Sequence, residues 1–184
     1  MLNIEKGMLL YHGSYTVVEH IDLDCCRQGK DFGRGFYLTT SSLQAKSFVP
    51  LSLKRKYGAD ISGKMGFVSV YQLDSVEDLK CYVFATADRD WLHFVAANRR
   101  QGLFDEMLKE FEKYDVVIGK IADDRTAVTL QLYVSGVFGR PGSDAADKVA
   151  ISMLLPDRLE NQFCFRTGKA VASLKFVKQE GYLC

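Results

Sequence analysis

Segments that read as β-strands stand at both ends of this chain and segments that read as helices fill its middle, an order that leaves few folds open. Near the start, the apolar run Met8-Leu9-Leu10-Tyr11 ends in His12 and then Gly13-Ser14. That is the pattern of a buried strand delivering one histidine to its edge before a turn. Gly33 and Gly35 bracket Arg34 just ahead of Phe36-Tyr37-Leu38-Thr39, whose aromatic and β-branched residues predict a second strand. Paired glycines there let the backbone turn sharply or come close to a ligand. Residues 67–73 and 79–85 read as two further strands joined by the polar run 74–78, for which antiparallel pairing is expected. Residues 115–119, 161–165 and 175–177 carry the remaining strand signals.

Between them lie the helices. Ser41 and Gln44 have capping-box spacing and open a helix through Ala45 and Phe48, which Pro50 should end or kink. Residues 54–66 are polar and without period, a surface loop with Lys54-Arg55-Lys56 as its basic patch. Asp88 offers a cap ahead of the stripe Trp91, Leu92, Val95 and Ala96. Leu103, Phe104, Met107, Leu108 and Phe111 form the most regular helical stripe of the chain. Residues 126–138 suit a helix with Ala127, Leu130, Val134 and Val137 inward, and Ala146, Val149, Ala150, Met153 and Leu154 mark another. A short helix is expected over 169–174. The whole, residues 1–184, is expected to form a single α+β domain, a mainly antiparallel split sheet flanked by helices.

A net charge of +1 gives no global electrostatic footprint for nucleic acid. No apolar run nears the roughly 20 residues that span a bilayer, and residues 1–13 lack a signal-peptide core, so a soluble cytoplasmic protein without membrane contact is expected. Five cysteines, with Cys25 and Cys26 adjacent and the rest dispersed, form no CxxC pair and read as reduced thiols. His12, His20 and His93 lack ligand-like spacing, so no metal site is expected.

A Tyr-His strand end followed by Gly, and about twenty residues later a Gly-x-Gly-Phe-Tyr strand, resembles the NAD-binding half of the ADP-ribosyltransferase-like superfamily, in its diphtheria-toxin-like and poly(ADP-ribose)-polymerase-like His-Tyr group. The branch would be an uncharacterised bacterial one. The resemblance implies that His12 hydrogen-bonds the ribose of NAD and that the Gly13 backbone, with Ser14 beside it, clasps the nicotinamide amide. It further implies that Gly35 lets the main chain approach the ligand and that the Tyr37 ring stacks on nicotinamide while its hydroxyl edge stays wet. Side chains alternate along a strand, so only one of Phe36 and Tyr37 is expected to line the cleft. Phe48 would cover the ring's other face and Ser42 would supply a polar contact. The similarity to a Gly-x-Gly-x-x-Gly dinucleotide fingerprint fails, because position 38 is Leu and the stretch enters a strand. For phosphate contacts Arg34, Lys30 and Arg27 stand nearby, each read as a solvated surface charge.

The family's third element is an acidic residue that bonds the 2′-hydroxyl of the nicotinamide ribose and faces an oxocarbenium-like state. By order along the chain its match is Gln162, a neutral amide that can bind a hydroxyl but offers no charge. Glu160, Asp123 and Asp124 compete for the role. The function implied is an NAD-dependent mono-ADP-ribosyltransferase with catalytic residues Gln162, Tyr37 and His12, releasing nicotinamide and modifying a protein or nucleic-acid acceptor. The resemblance also fits a toxin or effector held by a small neutralising partner protein. Two alternatives stay open: a catalytically weak or inactive NAD- or ADP-ribose-binding module, and an NAD glycohydrolase.

Overall fold

Alternating burial along the terminal segments resolves into two sheets. The structure is a computed structural model in which residues 4–121, 124–154 and 160–184 are described, Asp124 and Arg125 in their backbone alone. In chain order the elements are β1 (Leu9–Ser14), β2 (Phe36–Leu38), α1 (Ser42–Tyr57), β3 (Met65–Leu73), β4 (Cys81–Val83), α2 (Arg89–Arg99), α3 (Asp105–Phe111), β5 (Val116–Lys120), α4 (Asp124–Val134), α5 (Asp144–Leu154), β6 (Asn161–Phe165), α6 (Gly168–Ala172) and β7 (Leu174–Leu183). One sheet has the order β1-β3-β7 and is antiparallel; the other has the order β2-β6-β5-β4, with β4 parallel to β5 and the remaining pairs antiparallel. The sheets meet at one bridge, where Tyr11 and Thr39 exchange N–H···O bonds of 2.8 and 3.0 Å. The architecture is therefore α+β, with antiparallel and mixed sheets flanked by helices.

The expected hairpin of residues 67–73 with 79–85 does not form. β3 is the central strand of its sheet, with β1 on one side and β7 on the other, so it has no free edge. β4 instead joins the other sheet beside β5. The last strand is also longer than residues 175–177, since β3 pairs with β7 from Met65 to Leu73.

Pro50 lies inside α1 and does not end it. Its missing N–H removes the bond to the Lys46 carbonyl. Lys46 is exposed, so water can reach that turn, while Ala45, Val49 and Leu53 hold the helix on β1 and β3 from its buried side. Lys54-Arg55-Lys56 thus form the last turn of α1 rather than part of a loop, and cations suit that end of a helix. Ser41 caps the other end by accepting from the Gln44 amide at 3.2 Å.

In the helical middle, α2 begins after the expected cap, with Asp88 Oδ1 accepting from Trp91 N at 3.0 Å. Trp91 is fully buried and its indole N–H reaches the Lys120 carbonyl at 3.1 Å. The stripe from Leu103 is less helical than its spacing predicts: Phe104 sits at φ 54° and α3 starts only at Asp105. The chain must reverse between α2 and α3 there, and the Phe104 ring stacks on His93 at 4.1 Å. α4 ends at Val134, which leaves Val137 exposed, and Val149 and Met153 of α5 face outward as well. In α5 the buried positions include Asp147, a polar contact that apolar periodicity cannot reveal. All five cysteines are free, and burial pushes the Cys164 thiol up to about 12.

Candidate functional site

The split between the sheets opens a cavity of about 950 Å³. The C-terminal end of β1, the loop that leads into β2, β2 itself, α1 and the start of β6 form its walls. A volume of that size suits a ligand as large as a dinucleotide. His12, Gly13, Ser14, Gly35, Tyr37 and Phe48 all line it, and so does Gln162. Ser42 does not; it is an exposed residue in the first turn of α1.

His12 is fixed at the junction of the sheets. Its Nδ1 lies 2.8 Å from the Tyr37 carbonyl, which can only accept, so Nδ1 carries the proton. Burial lowers the His12 pKa and favours the neutral ring. Nε2 is then a bare acceptor, and because no buried side-chain nitrogen or oxygen among the described residues lacks a partner, it opens to the cavity. The Phe36 ring lies 4.5 Å from the imidazole, and Phe36 contributes to the lining together with Tyr37. The expectation that only one of them lines the cleft is not met: β2 runs directly into the Tyr11–Thr39 bridge that joins the sheets, and both residues belong to the lining there.

Tyr37 departs from expectation at its hydroxyl. The oxygen accepts from Phe32 N at 2.9 Å and donates to the Gly33 carbonyl at 2.7 Å, so it ties the 29–35 loop rather than staying wet. Burial holds the phenol well above its ordinary pKa, which keeps it a donor. The ring remains part of the cavity wall. Tyr37→Phe is expected to leave the buried Phe32 amide unpartnered at about 1–3 kcal/mol. Hydrogen exchange should show that amide losing protection; unchanged protection would mean the hydroxyl does not hold the loop.

The two glycines serve close packing. A Cβ on Gly13 would lie 1.9 Å from the Ala45 carbonyl oxygen, so β1 can approach α1 only without a side chain there. One on Gly35 would lie 2.5 Å from Cys164 Sγ and 2.8 Å from the Phe165 carbonyl oxygen, and its absence lets the loop press onto β6.

Gln162 is 6% exposed, and its amide nitrogen donates to Asp31 Oδ2 at 3.2 Å and to the Lys120 carbonyl at 3.4 Å. Both partners are acceptors, which fixes the orientation of the amide, and because no buried side-chain oxygen among the described residues lacks a partner, Oε1 is left accessible on a residue that lines the cavity. Asp31 in turn accepts from Arg99 Nε at 2.9 Å and Arg99 Nη2 at 2.5 Å. The carboxylate in this wall is therefore Asp31, which sequence reading missed. Glu160 is exposed and outside the lining, its carbonyl accepting from Ile121 N at 2.8 Å. Asp123 lies outside the described residues, and of Asp124 only the backbone is described. A signal for Asp31 existed only in hindsight of its partners, which are 68 and 131 residues away in the chain.

Among the nearby cations, Arg34 is engaged elsewhere, with Nε on the Leu23 carbonyl at 3.0 Å and Nη2 on Asp24 at 2.5 Å. Arg27 and Lys30 line the cavity, as does Arg55 of α1, which follows Phe48 and Ser52 at helical spacing along one stripe. Among the described residues no group of three or more His, Cys, Asp or Glu is arranged to hold a metal ion, and no helix is long and apolar enough to cross a membrane.

Compared with known families, residues 8–176 match the model of the family described as protein of unknown function (DUF3990), a span that takes in β1 to β6 and every cavity residue named above and reaches β7 only at its start. No curated protein and no solved structure matches the chain.

Proposed function

We propose that this chain, which belongs to the DUF3990 family of unknown function, is an NAD-dependent mono-ADP-ribosyltransferase with an ADP-ribosyltransferase-like fold. The observation that carries the reading is the convergence of His12, Tyr37 and Gln162, from three separate strands, on one cavity between the halves of a split sheet. Each residue then has a definite task. Neutral His12 offers Nε2 as acceptor to a ribose hydroxyl. The Tyr37 ring supplies a flat wall for nicotinamide, with Phe48 of α1 lining the same cavity. Gln162 Oε1 accepts a hydrogen bond from the 2′-hydroxyl, and its amide is polarised from behind, since the N–H it gives to Asp31 drives electron density toward the oxygen.

As the bond between nicotinamide and ribose lengthens, positive charge grows on the sugar, and the acceptor oxygen together with the Asp31 carboxylate stabilises it. Nicotinamide departs with the bonding electrons, the acceptor's nucleophile forms the new bond to the same carbon, and the nucleophile's proton passes to solvent. The acceptor is a protein or nucleic acid, and the toxin-like setting with a small neutralising partner belongs to the same reading. A second reading, a binding module for NAD or ADP-ribose with little turnover, rests on one observation: the third residue of the proposed site, Gln162, is a neutral amide, and Arg99 offsets the Asp31 carboxylate behind it.

The test is nicotinamide release from NAD by the full chain, with and without cell extract, alongside calorimetric titration. Wild type should bind NAD and release nicotinamide. His12→Ala should lower release at least about tenfold, the loss of one hydrogen bond to a charged or developing centre, while costing only about 1 kcal/mol of stability from the lost bond to Tyr37. NAD binding without release selects the binding module; neither binding nor release removes both readings.

A further inference from the structure

We infer that Arg27, Lys30 and Arg55 form a clamp for the pyrophosphate of a dinucleotide-sized ligand at the end of the cavity bounded by α1 and the 15–31 loop. The inference deepens the NAD reading and rests on it for the identity of the ligand, although the clamp stands on its own observations.

Four cations line one cavity: Arg27, Lys30, Arg55 and Arg99. Arg99 is committed to Asp31 through two hydrogen bonds. The other three form no ion pair with any described residue, in contrast to Arg34 next to them in the chain, which pairs with Asp24. Lys30 is partly buried, and desolvation together with the charges of Arg55, Arg27 and Arg99 outweighs the attraction of Asp31 and lowers its pKa. Arg27 and Arg55 are exposed, and a fold gains nothing from holding their like charges beside the partly buried Lys30. An anion entering that space adds an attraction to each of these cations, opposed by the carboxylate residues Glu19, Asp22 and Asp31 of the same lining.

Geometry selects the kind of anion. The cations come from two elements, Arg55 from the last turn of α1 and Arg27 and Lys30 from the 15–31 loop, whose Tyr15 N donates to Ser52 Oγ of that helix at 3.0 Å, so one anion can engage both elements. Guanidinium forks match phosphate oxygens bidentately, and the ammonium supplies a point charge. The lining of the same cavity includes His12, Tyr37 and Gln162. A ligand that spans it presents an anionic middle to the clamp and a sugar to that wall. One carboxylate offers two oxygens to three cations, whereas a pyrophosphate diester offers oxygens to all three.

The test titrates the full chain calorimetrically with inorganic pyrophosphate, ADP-ribose and nicotinamide in turn. Lys30→Gln and Arg55→Gln should each weaken ADP-ribose and pyrophosphate about tenfold and leave nicotinamide unchanged. Lys30→Arg, which keeps the charge, should retain affinity. Affinity of the wild type for both phosphates should fall as salt is raised. Equal phosphate affinities in wild type, Lys30→Gln and Arg55→Gln, with all three folded, would overturn the clamp even if NAD binds. Pyrophosphate binding that depends on Lys30 and Arg55 without any NAD binding would keep the clamp and remove the NAD reading instead.

Discussion

Asp147→Ala is expected to lower the stability of the fold by about 3 kcal/mol, among the larger effects open to a single substitution. Asp147 is 1% exposed and lies on α5, yet its carboxylate collects donors from two other helices: His93 Nε2 at 2.8 Å and Arg89 Nε at 2.9 Å from α2, and the Tyr133 hydroxyl at 2.5 Å from α4. Truncation strands these donors unequally. Arg89 is half-exposed and can turn to water or keep its contact with Asp144, so it contributes little. Tyr133 is fully buried and His93 nearly so, and each then lacks an acceptor. Tyr133 also accepts from Gly142 N at 2.9 Å, so its displacement would loosen the loop between α4 and α5. Urea unfolding should show a lower midpoint with unchanged slope, and a melting temperature roughly 6–12 °C lower. A loss under about 1 kcal/mol would mean that the helical layer does not depend on this carboxylate. Because the network lies outside the cavity lining, ligand affinity measured well below the melting point should stay as in the wild type.

The contrast between Asp147 and Asp31 shows what a sequence can and cannot disclose. Local signals held where local physics decides: Ser41 and Asp88 do cap their helices, and the runs ending in His12 and beginning at Phe36 are strands. The approach of His12, Tyr37 and Gln162 to one cavity follows the chain order of those strands, although what they bind there is a separate matter of proposal. Failures arise where distant segments decide. The 67–73 and 79–85 runs form no hairpin because β7, a hundred residues on, takes the edge of β3. Pro50 fails to stop α1 because packing on β1 and β3 outweighs one lost backbone bond. Asp31 looks like any polar loop residue until Arg99 and Gln162 arrive beside it. A charge acquires its function from its partners, and spacing along the chain does not name them.

Those partners set the second large expectation, that Gln162→Glu harms the site rather than improving it. Viewed as a neutral residue where a carboxylate would serve, Gln162 invites the substitution. Its surroundings forbid it, because the amide nitrogen that becomes an oxygen now lies 3.2 Å from Asp31 Oδ2 and 3.4 Å from the Lys120 carbonyl. Two donated hydrogen bonds become acceptor against acceptor. Two carboxylates at that separation repel by about 5 kcal/mol at an effective dielectric constant near 20, before Arg99 offsets part of it. The new carboxyl should respond by holding its proton to a higher pH than an ordinary glutamate. An acid whose folded pKa exceeds its unfolded value destabilises the fold as pH rises through that window, so the variant should be weakest near pH 8 and recover toward pH 5. On the proposed reading, nicotinamide release at pH 8 should drop on the order of a hundredfold, equivalent to about 3 kcal/mol of lost stabilisation. The decisive arm adds Asp31→Asn to Gln162→Glu. The exchanged pair restores one amide and one carboxylate: the amide introduced by Asp31→Asn can donate to the carboxylate introduced by Gln162→Glu while its oxygen still accepts from Arg99, and the negative charge now stands at the cavity. Stability at pH 8 should return to within about 1 kcal/mol of wild type, a coupling that only direct contact produces. Release of nicotinamide should recover with it. If Gln162→Glu is as stable as wild type at pH 8, or if Asp31→Asn fails to rescue it, then Asp31 and Gln162 do not act as the pair that their 3.2 Å contact describes.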